Sequence, residues 1–433
     1  MSASLKSGMP GNRDAFAAYL CDETALDVLR PVVIELGWPP EKCNKGGLRN
    51  AIQSLSVSAS PNILMVDLSE SGDPLNDINA LAEVCEPGTV VIAIGQVNDV
   101  RLYRDLLASG IYDYLLKPLS ANTVRDALNQ ALHEEMERDP SVIVMGEDVA
   151  GGSGGTSGNI EAAGGIFGVT KGLKTKYGAD RVIDTPISES AIIGLANGSA
   201  LAGMRPVAEL MFADFVGVSM DQIFNQMAKF RYMFGGKAKT PVVLRMSMGA
   251  GMNAAAQHSQ TIYPMLTMVP GLKVVIPSNP ADAKGLMKQA IRDDDPVMFF
   301  EHKALYSKKG EVPDGEYLTP FGEADLVREG KDCTVVALAR MVPFAMKAVD
   351  KLAEEGITCD LIDPRTTSPL DEETILESLS MTGRLVVVDE SNPMCSIASE
   401  IASIAASKGF NSLRAPVEKV TAPHTPVPFA REL

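Results

Sequence analysis

A chain of 433 residues with 45% hydrophobic residues is long enough for two to four domains, each with its own core. Its formal charge of −16 argues against nucleic acid or an anionic membrane surface as the main partner. The apolar runs are too short for a membrane span, residues 1–13 lack an apolar leader core, and the six cysteines show no CxxC spacing; a cytoplasmic protein with reduced thiols is expected.

Residues 14–119 alternate apolar, strand-like runs (15–21, 63–68, 90–94 and 112–116) with helix-like stretches (24–36, 80–84 and 99–109). Such alternation predicts a small doubly wound parallel sheet, whose site lies beyond the carboxyl ends of its strands. Asp22 and Glu23 follow the first run, Asp67 lies in the central one, and Lys117-Pro118 follow the last. The stretches YLCDETALDVLRPVVIELGW, ILMVDLSESGDPL, EVCEPGTVVIAIGQVNDV and YLLKPLS resemble the receiver-like N-terminal domain of pilus-assembly localisation ATPases. That resemblance implies a flavodoxin-like receiver fold over 1–122. It further implies a magnesium ion held by Asp22, Glu23 and Asp67, a phosphoryl group accepted by Asp67, and neutralisation by Lys117. Gly95 stands where a signalling receiver has Ser or Thr, which favours a docking or dimerisation module over a phosphate switch. The ATPase that follows such domains is missing, because no GxxxxGK loop ending in Ser or Thr occurs.

A helix over 123–138 comes next, with Val124, Leu128, Ala131, Leu132 and Met136 on one side. The same helix would close the first domain and open the second, so the join reads as a natural or artificial fusion. A strand over 142–145 leads into a glycine-rich loop at 151–165 with little regular propensity. A helix over 192–202, a segment at 207–215, a long helix over 219–232 and a strand over 242–246 follow. Two polar residues stand out in neutral surroundings, Glu189 in TPISES and His258 in AAAQHSQ. On residue type alone, Glu189 is equally an ordinary carboxylate at a helix N-terminus, favoured by the dipole. His258 alone reads as a hydrogen-bonded structural histidine. From about residue 313, strands (333–338, 359–362, 385–389) alternate with helices (345–355, 371–380, 396–408), predicting another open α/β domain.

The stretches TVRDALNQALHEEMERDPSVIVMGEDV, DTPISES, ELMFADFVG, AAAQHSQ, IDPRTTSPLD and GRLVVVDE resemble the beta subunit of thiamine-diphosphate-dependent acetoin and 2-oxo acid dehydrogenases. The resemblance covers 123–433. It implies a transketolase-like pyrimidine-binding domain over 123–312 and a transketolase C-terminal-like domain over 313–433. Glu189 would sit at N1′ of the cofactor's aminopyrimidine, where a buried carboxyl of raised pKa can share a proton with the ring. Phe215 would stack on that ring, and His258 would act on the substrate. Ala290, Asp293 and Asp295 match a loop that holds a potassium ion. No GDG motif with a downstream Asn occurs, so Mg²⁺ and the diphosphate would be held by an alpha subunit. The implied assembly is a heterotetramer with a second beta copy, cleaving acetoin or decarboxylating a 2-oxo acid and passing the acyl unit to a lipoyl acyltransferase. The competing expectation is a non-catalytic localisation scaffold or an artificial join whose C-terminal half only oligomerises.

Overall fold

Four apolar runs and one short polar strand in the first part of the chain make one sheet. The computed structural model describes residues 13–35, 37–96, 100–116, 122–151, 164–313 and 315–430. It divides the chain into two compact units, Met1–Ala121 and Asn122–Leu433.

The first unit runs β1 (Phe16–Leu20), α1 (Glu23–Glu35), β2 (Cys43–Lys45), α2 (Gly47–Leu55), β3 (Ile63–Asp67), α3 (Pro74–Val84), β4 (Val90–Gly95), α4 (Val100–Ala108) and β5 (Asp113–Leu116). The strands are all parallel in the order β2-β1-β3-β4-β5. Every residue of β1 is buried, as a strand covered on both faces must be. Alternate residues feed two cores: Ala17 and Tyr19 join Leu48, Ala51 and Leu81, whereas Phe16, Ala18 and Leu20 join Leu26 and Val33. The doubly wound arrangement expected from the alternation is therefore present. Sequence reading missed β2 and α2. Gly46 starts α2 at φ +117, a left-handed conformation that no other residue type adopts cheaply, and four of its nine residues are buried.

The second unit opens with β6 (Asn122–Thr123) and α5 (Val124–Arg138), entered through a capping box between Thr123 and Asp126. Val124, Leu128, Ala131, Leu132 and Met136 all enter this unit's core, so the stripe of the joining helix is accounted for there. There follow β7 (Val142–Gly146), α6 (Leu173–Tyr177), β8 (Val182–Asp184), α7 (Glu189–Leu201), β9 (Arg205–Phe212), α8 (Phe230–Met233), β10 (Val243–Met248), α9 (Tyr263–Thr267), β11 (Lys273–Val275), α10 (Pro280–Arg292), β12 (Val297–His302) and β13 (Lys309–Gly310). Strands β7 to β12 are mutually parallel in one seven-stranded sheet of order β17-β11-β12-β10-β9-β7-β8. Its antiparallel edge, β17 (Thr366–Ser368), comes from the last part of the chain.

That last part is β14 (Asp325–Arg328), β15 (Cys333–Ala337), α11 (Met341–Glu354), β16 (Cys359–Asp363), β17, α12 (Glu372–Thr382), β18 (Leu385–Asp389), α13 (Ile397–Lys408) and β19 (Glu418–Thr421). Its own sheet has the order β14-β16-β15-β18-β19. One expectation fails. The long helix over 219–232 is a 3₁₀ segment (Ala213–Ser219), a π turn (Gln222–Met227) and the short α8. The buried Asn197 side chain donates to the Gln222 carbonyl at 2.9 Å, and side-chain insertion of this kind interrupts a regular helix.

Candidate active site

The residues singled out in the second unit collect along one edge. Because β7, β8, β9, β10 and β12 run in the same direction, their carboxyl ends present Glu147, Glu189, Phe215, His258 and Lys303 along a single side of the sheet. Parallel sheets place ligands at that edge, where several loops can converge without breaking a strand.

Glu189 is the first residue of α7. It is half-buried, which corrects the expectation of a buried acid: it opens the helix on a side that this chain alone leaves uncovered. Ile187 and Val218 nearby are 83% and 61% exposed, and Ser190 Oγ donates to the Val218 carbonyl, tying the two segments together. The second acid here is Glu147, whose carboxyl is raised by burial and then by the charge of Glu189. Sequence reading passed over Glu147. It directly follows the fully buried apolar strand β7, and that position was the available signal.

On the other flank, three rings meet at right angles. The His258 imidazole lies 4.7 Å from the Phe212 ring and 5.4 Å from Phe215, and the two phenyl rings are 5.7 Å apart. Such edge-to-face packing leaves the half-buried Phe215 with a face to offer a planar ligand. The loop carrying His258 is held from four directions. Glu390 Oε1 accepts from Ala250 N at 2.6 Å, Arg340 donates to the Ala250 carbonyl at 3.1 Å, Asp214 accepts from Gln260 N at 3.1 Å, and Lys303 donates to the His258 carbonyl. Glu390 also accepts from His302 Nε2 at 2.7 Å, while His302 Nδ1 accepts from Ala304 N–H. These contacts assign the tautomer with its proton on Nε2. Burial would push the Glu390 carboxyl up, but His302 and the Ala250 N–H outweigh it and hold it below the usual range. Gly249 permits this packing, because a Cβ there would stand 2.0 Å from His302 Nε2. Residues flanking His258 and the segment 422–430 line a cleft of about 570 Å³.

Beneath the edge, Arg245 is 2% exposed, binds Glu301 through two N–H groups at 2.7 Å, and donates to Glu209 at 2.6 Å. Burial raises the Glu209 carboxyl against the pull of Arg245. Two side-chain oxygens close to the site residues in sequence, Thr185 Oγ1 and Asp214 Oδ2, are buried without a hydrogen-bond partner. Unpaired buried acceptors and donors cost free energy, and a polar ligand at this edge would relieve that cost.

The remaining candidates lie elsewhere. Asp293 accepts from Lys273 at 2.6 and 2.7 Å, Asp295 pairs with Arg231 at 3.1 Å, the Ala290 carbonyl accepts from Asp293 N, and the Asp293 carbonyl accepts from Arg205 at 2.9 Å. This loop's oxygens are thus engaged by protein donors and cations. In the first unit, Asp67 is 1% exposed; its carboxylate accepts from Cys21 N, Ser69 N and Ser69 Oγ at 2.8, 3.0 and 2.6 Å. Asp22 caps α1 through Ala25 N, and Glu23 pairs with Arg30 and Lys45. Lys117 lies outside the described residues, as does most of the glycine-rich loop. Among the described residues, no three His, Cys, Asp or Glu side chains are grouped to hold a metal ion, and no helix is long and apolar enough to cross a membrane.

Comparison with known proteins bears on this geometry. Residues 120–309 match the transketolase pyrimidine-binding domain and 322–433 the transketolase C-terminal domain. The beta subunit of acetoin:2,6-dichlorophenolindophenol oxidoreductase from Cupriavidus necator is 58% identical over 311 residues, covering 72% of this chain and 91% of the relative. The chain belongs to the family of acetoin and 2-oxo acid dehydrogenase beta subunits. Its counterpart in Bacillus subtilis is 53% identical over 309 residues (71% of this chain, 90% of the relative). The 2-oxoisovalerate dehydrogenase subunit beta of Bacillus subtilis is 44% identical over 314 residues, covering 72% and 93%. A solved structure described as a split-gene transketolase, inactive beta4 tetramer, shares the fold at a TM-score of 0.56 and 24% identity, covering 71% of this chain and 91% of that one.

Proposed function

We propose that this dehydrogenase beta subunit supplies the aminopyrimidine half of a thiamine diphosphate site and cleaves acetoin in assembly with an alpha subunit. The observation that carries the reading is the placement of Glu189, Phe215 and His258 along one carboxyl edge of a parallel sheet. The bound cofactor supplies a nucleophilic thiazolium carbon, able to cleave a bond next to a carbonyl. Glu189 would share a proton with the aminopyrimidine N1′. Phe215 would stack on the pyrimidine. His258, facing two aromatic edges, would give or take a proton at the substrate oxygen, a role worth roughly 10²–10⁴-fold.

Acetoin is preferred over a 2-oxo acid because the acetoin-named relatives are 58% and 53% identical and the 2-oxoisovalerate relative 44%. The alpha subunit would hold Mg²⁺ and the diphosphate, since this chain has no GDG motif. A cytoplasmic heterotetramer delivering its two-carbon acyl unit to a lipoyl acyltransferase completes the reading, with domain limits at 122 and 312. The test is to co-purify the chain with a cognate alpha subunit and measure cofactor-dependent turnover of acetoin and pyruvate. Wild type should turn over acetoin and Glu189→Gln should not; equal turnover would remove Glu189 from the mechanism.

For the first unit, we infer a flavodoxin-like, receiver-type scaffold used for docking or dimerisation. Its strand order supports the scaffold, and the occupied Asp67 carboxylate supports a role other than phosphoryl transfer.

A further inference from the structure

Lys303 is the other residue at this edge that sequence reading did not weigh. It follows β12, all six of whose residues are buried, and begins a 3₁₀ turn (Lys303–Leu305) directed by the Ala304 N–H bond to His302. The side chain is only 3% exposed, yet among the described residues it forms no ion pair with a carboxylate. A buried ammonium in that state is costly, and such groups concentrate at functional sites. Its Nζ donates to the His258 carbonyl and lies 5.3 Å from the centre of the Phe212 ring, the ring against which the His258 imidazole packs.

We infer that Lys303 is a positioning residue of this site: its buried ammonium fixes the main chain under His258 and sets the positive charge beside the Phe212–Phe215–His258 cluster. The inference rests on the reading of His258 as a group that acts on the substrate. The charged or titratable neighbours are Asp214 after β9, Glu390 after β18, His258 itself, the adjacent His302, and Arg340 on the far side of the His258 loop. Burial lowers Lys303 to about 8, with Asp214 and Glu390 opposing it, so the charge is present at neutral pH and is lost in mildly alkaline solution. Holding the His258 carbonyl fixes where the imidazole stands against Phe212 and Phe215.

The experiment is proton NMR of the isotope-labelled histidine rings in the full chain. The four histidines are few enough to resolve, and His258→Asn assigns the signal. In wild type, the His258 signal should shift with an inflection near pH 8, where Lys303 loses its charge. In Lys303→Met and Lys303→Arg that inflection should vanish, and Lys303→Arg, which keeps the charge, should hold the His258 signal at its wild-type position at neutral pH whereas Lys303→Met should not. With the alpha subunit present, Lys303→Met should lose about tenfold in turnover, partly restored in Lys303→Arg. Absence of the inflection near pH 8 in wild type overturns the inference without any variant. So does a Lys303→Met signal that keeps the inflection near pH 8 and the wild-type position at neutral pH, which is the result a lysine remote from the imidazole would give. Unchanged turnover in His258→Asn would instead sink the reading of His258, leaving the NMR result to judge Lys303 separately.

Discussion

Asp363, at the end of β16, offers a quantitative test of how the second unit is balanced. Its side chain is 0% exposed, accepts from the Arg365 N–H at 3.0 Å, and neighbours the Ser278 hydroxyl. Burial raises the carboxyl from its ordinary 3.8 to about 7. A rise of about three units corresponds to about 4 kcal/mol at ~1.4 kcal/mol per unit, taken as an upper bound. Between about pH 4 and pH 7 the folded chain keeps a proton that the unfolded chain has released, so stability falls as pH rises through that window. Asp363→Asn keeps the acceptor for Arg365 N–H and removes the charge. The variant should therefore be about 2–4 kcal/mol more stable than wild type at pH 8, with the gain largely gone at about pH 3, where the acid is mostly protonated in both states. Urea unfolding followed by far-UV circular dichroism at several pH values measures the difference. A variant no more stable at pH 8 than wild type, or a gain that does not depend on pH, would refute the reasoning.

Two other substitutions probe the rest of the chain. Arg245→Met strands Glu301 and Glu209 beneath the site without their shared cation, and should cost about 3–5 kcal/mol in urea unfolding. Converting both acids to Gln in the same chain should recover most of the loss. In the first unit, Asp67→Asn should cost about 1–3 kcal/mol, because the carboxylate accepts three hydrogen bonds in a buried position. Wild type incubated with acetyl phosphate and Mg²⁺ should show no added phosphoryl group by intact mass, and a stoichiometric adduct lost in Asp67→Asn would contradict the scaffold reading.

Much of this structure was legible because parallel strands covered on both faces read as unbroken apolar runs. Phe16–Leu20 and Val142–Gly146 are such runs, and each is fully buried. What stayed hidden depended on tertiary contacts. The π turn at Gln222–Met227 keeps a helical spacing of apolar residues, and only the inserted Asn197 side chain breaks it. β17 is a strand because it pairs with β11, nearly a hundred residues earlier in the chain, and three residues carry no periodicity of their own. At the site, Glu189, Phe215 and His258 stood out in their motifs. Glu147 and Lys303 did not, because their significance comes from following separate strands, β7 and β12, of one sheet. The exposure of Glu189 was misjudged for a related reason: the start of a helix at an open sheet edge is covered only by what binds there.

The most direct test of the central claim measures the cofactor itself. In the assembly with an alpha subunit, deuterium exchange at the thiazolium C2 of added thiamine diphosphate, read by quenched-flow NMR, reports what Glu189 does before any substrate arrives. The account predicts that Glu189→Gln slows this exchange by about 10² or more while His258→Asn leaves it near the wild-type rate. Exchange in Glu189→Gln as fast as in wild type would contradict it.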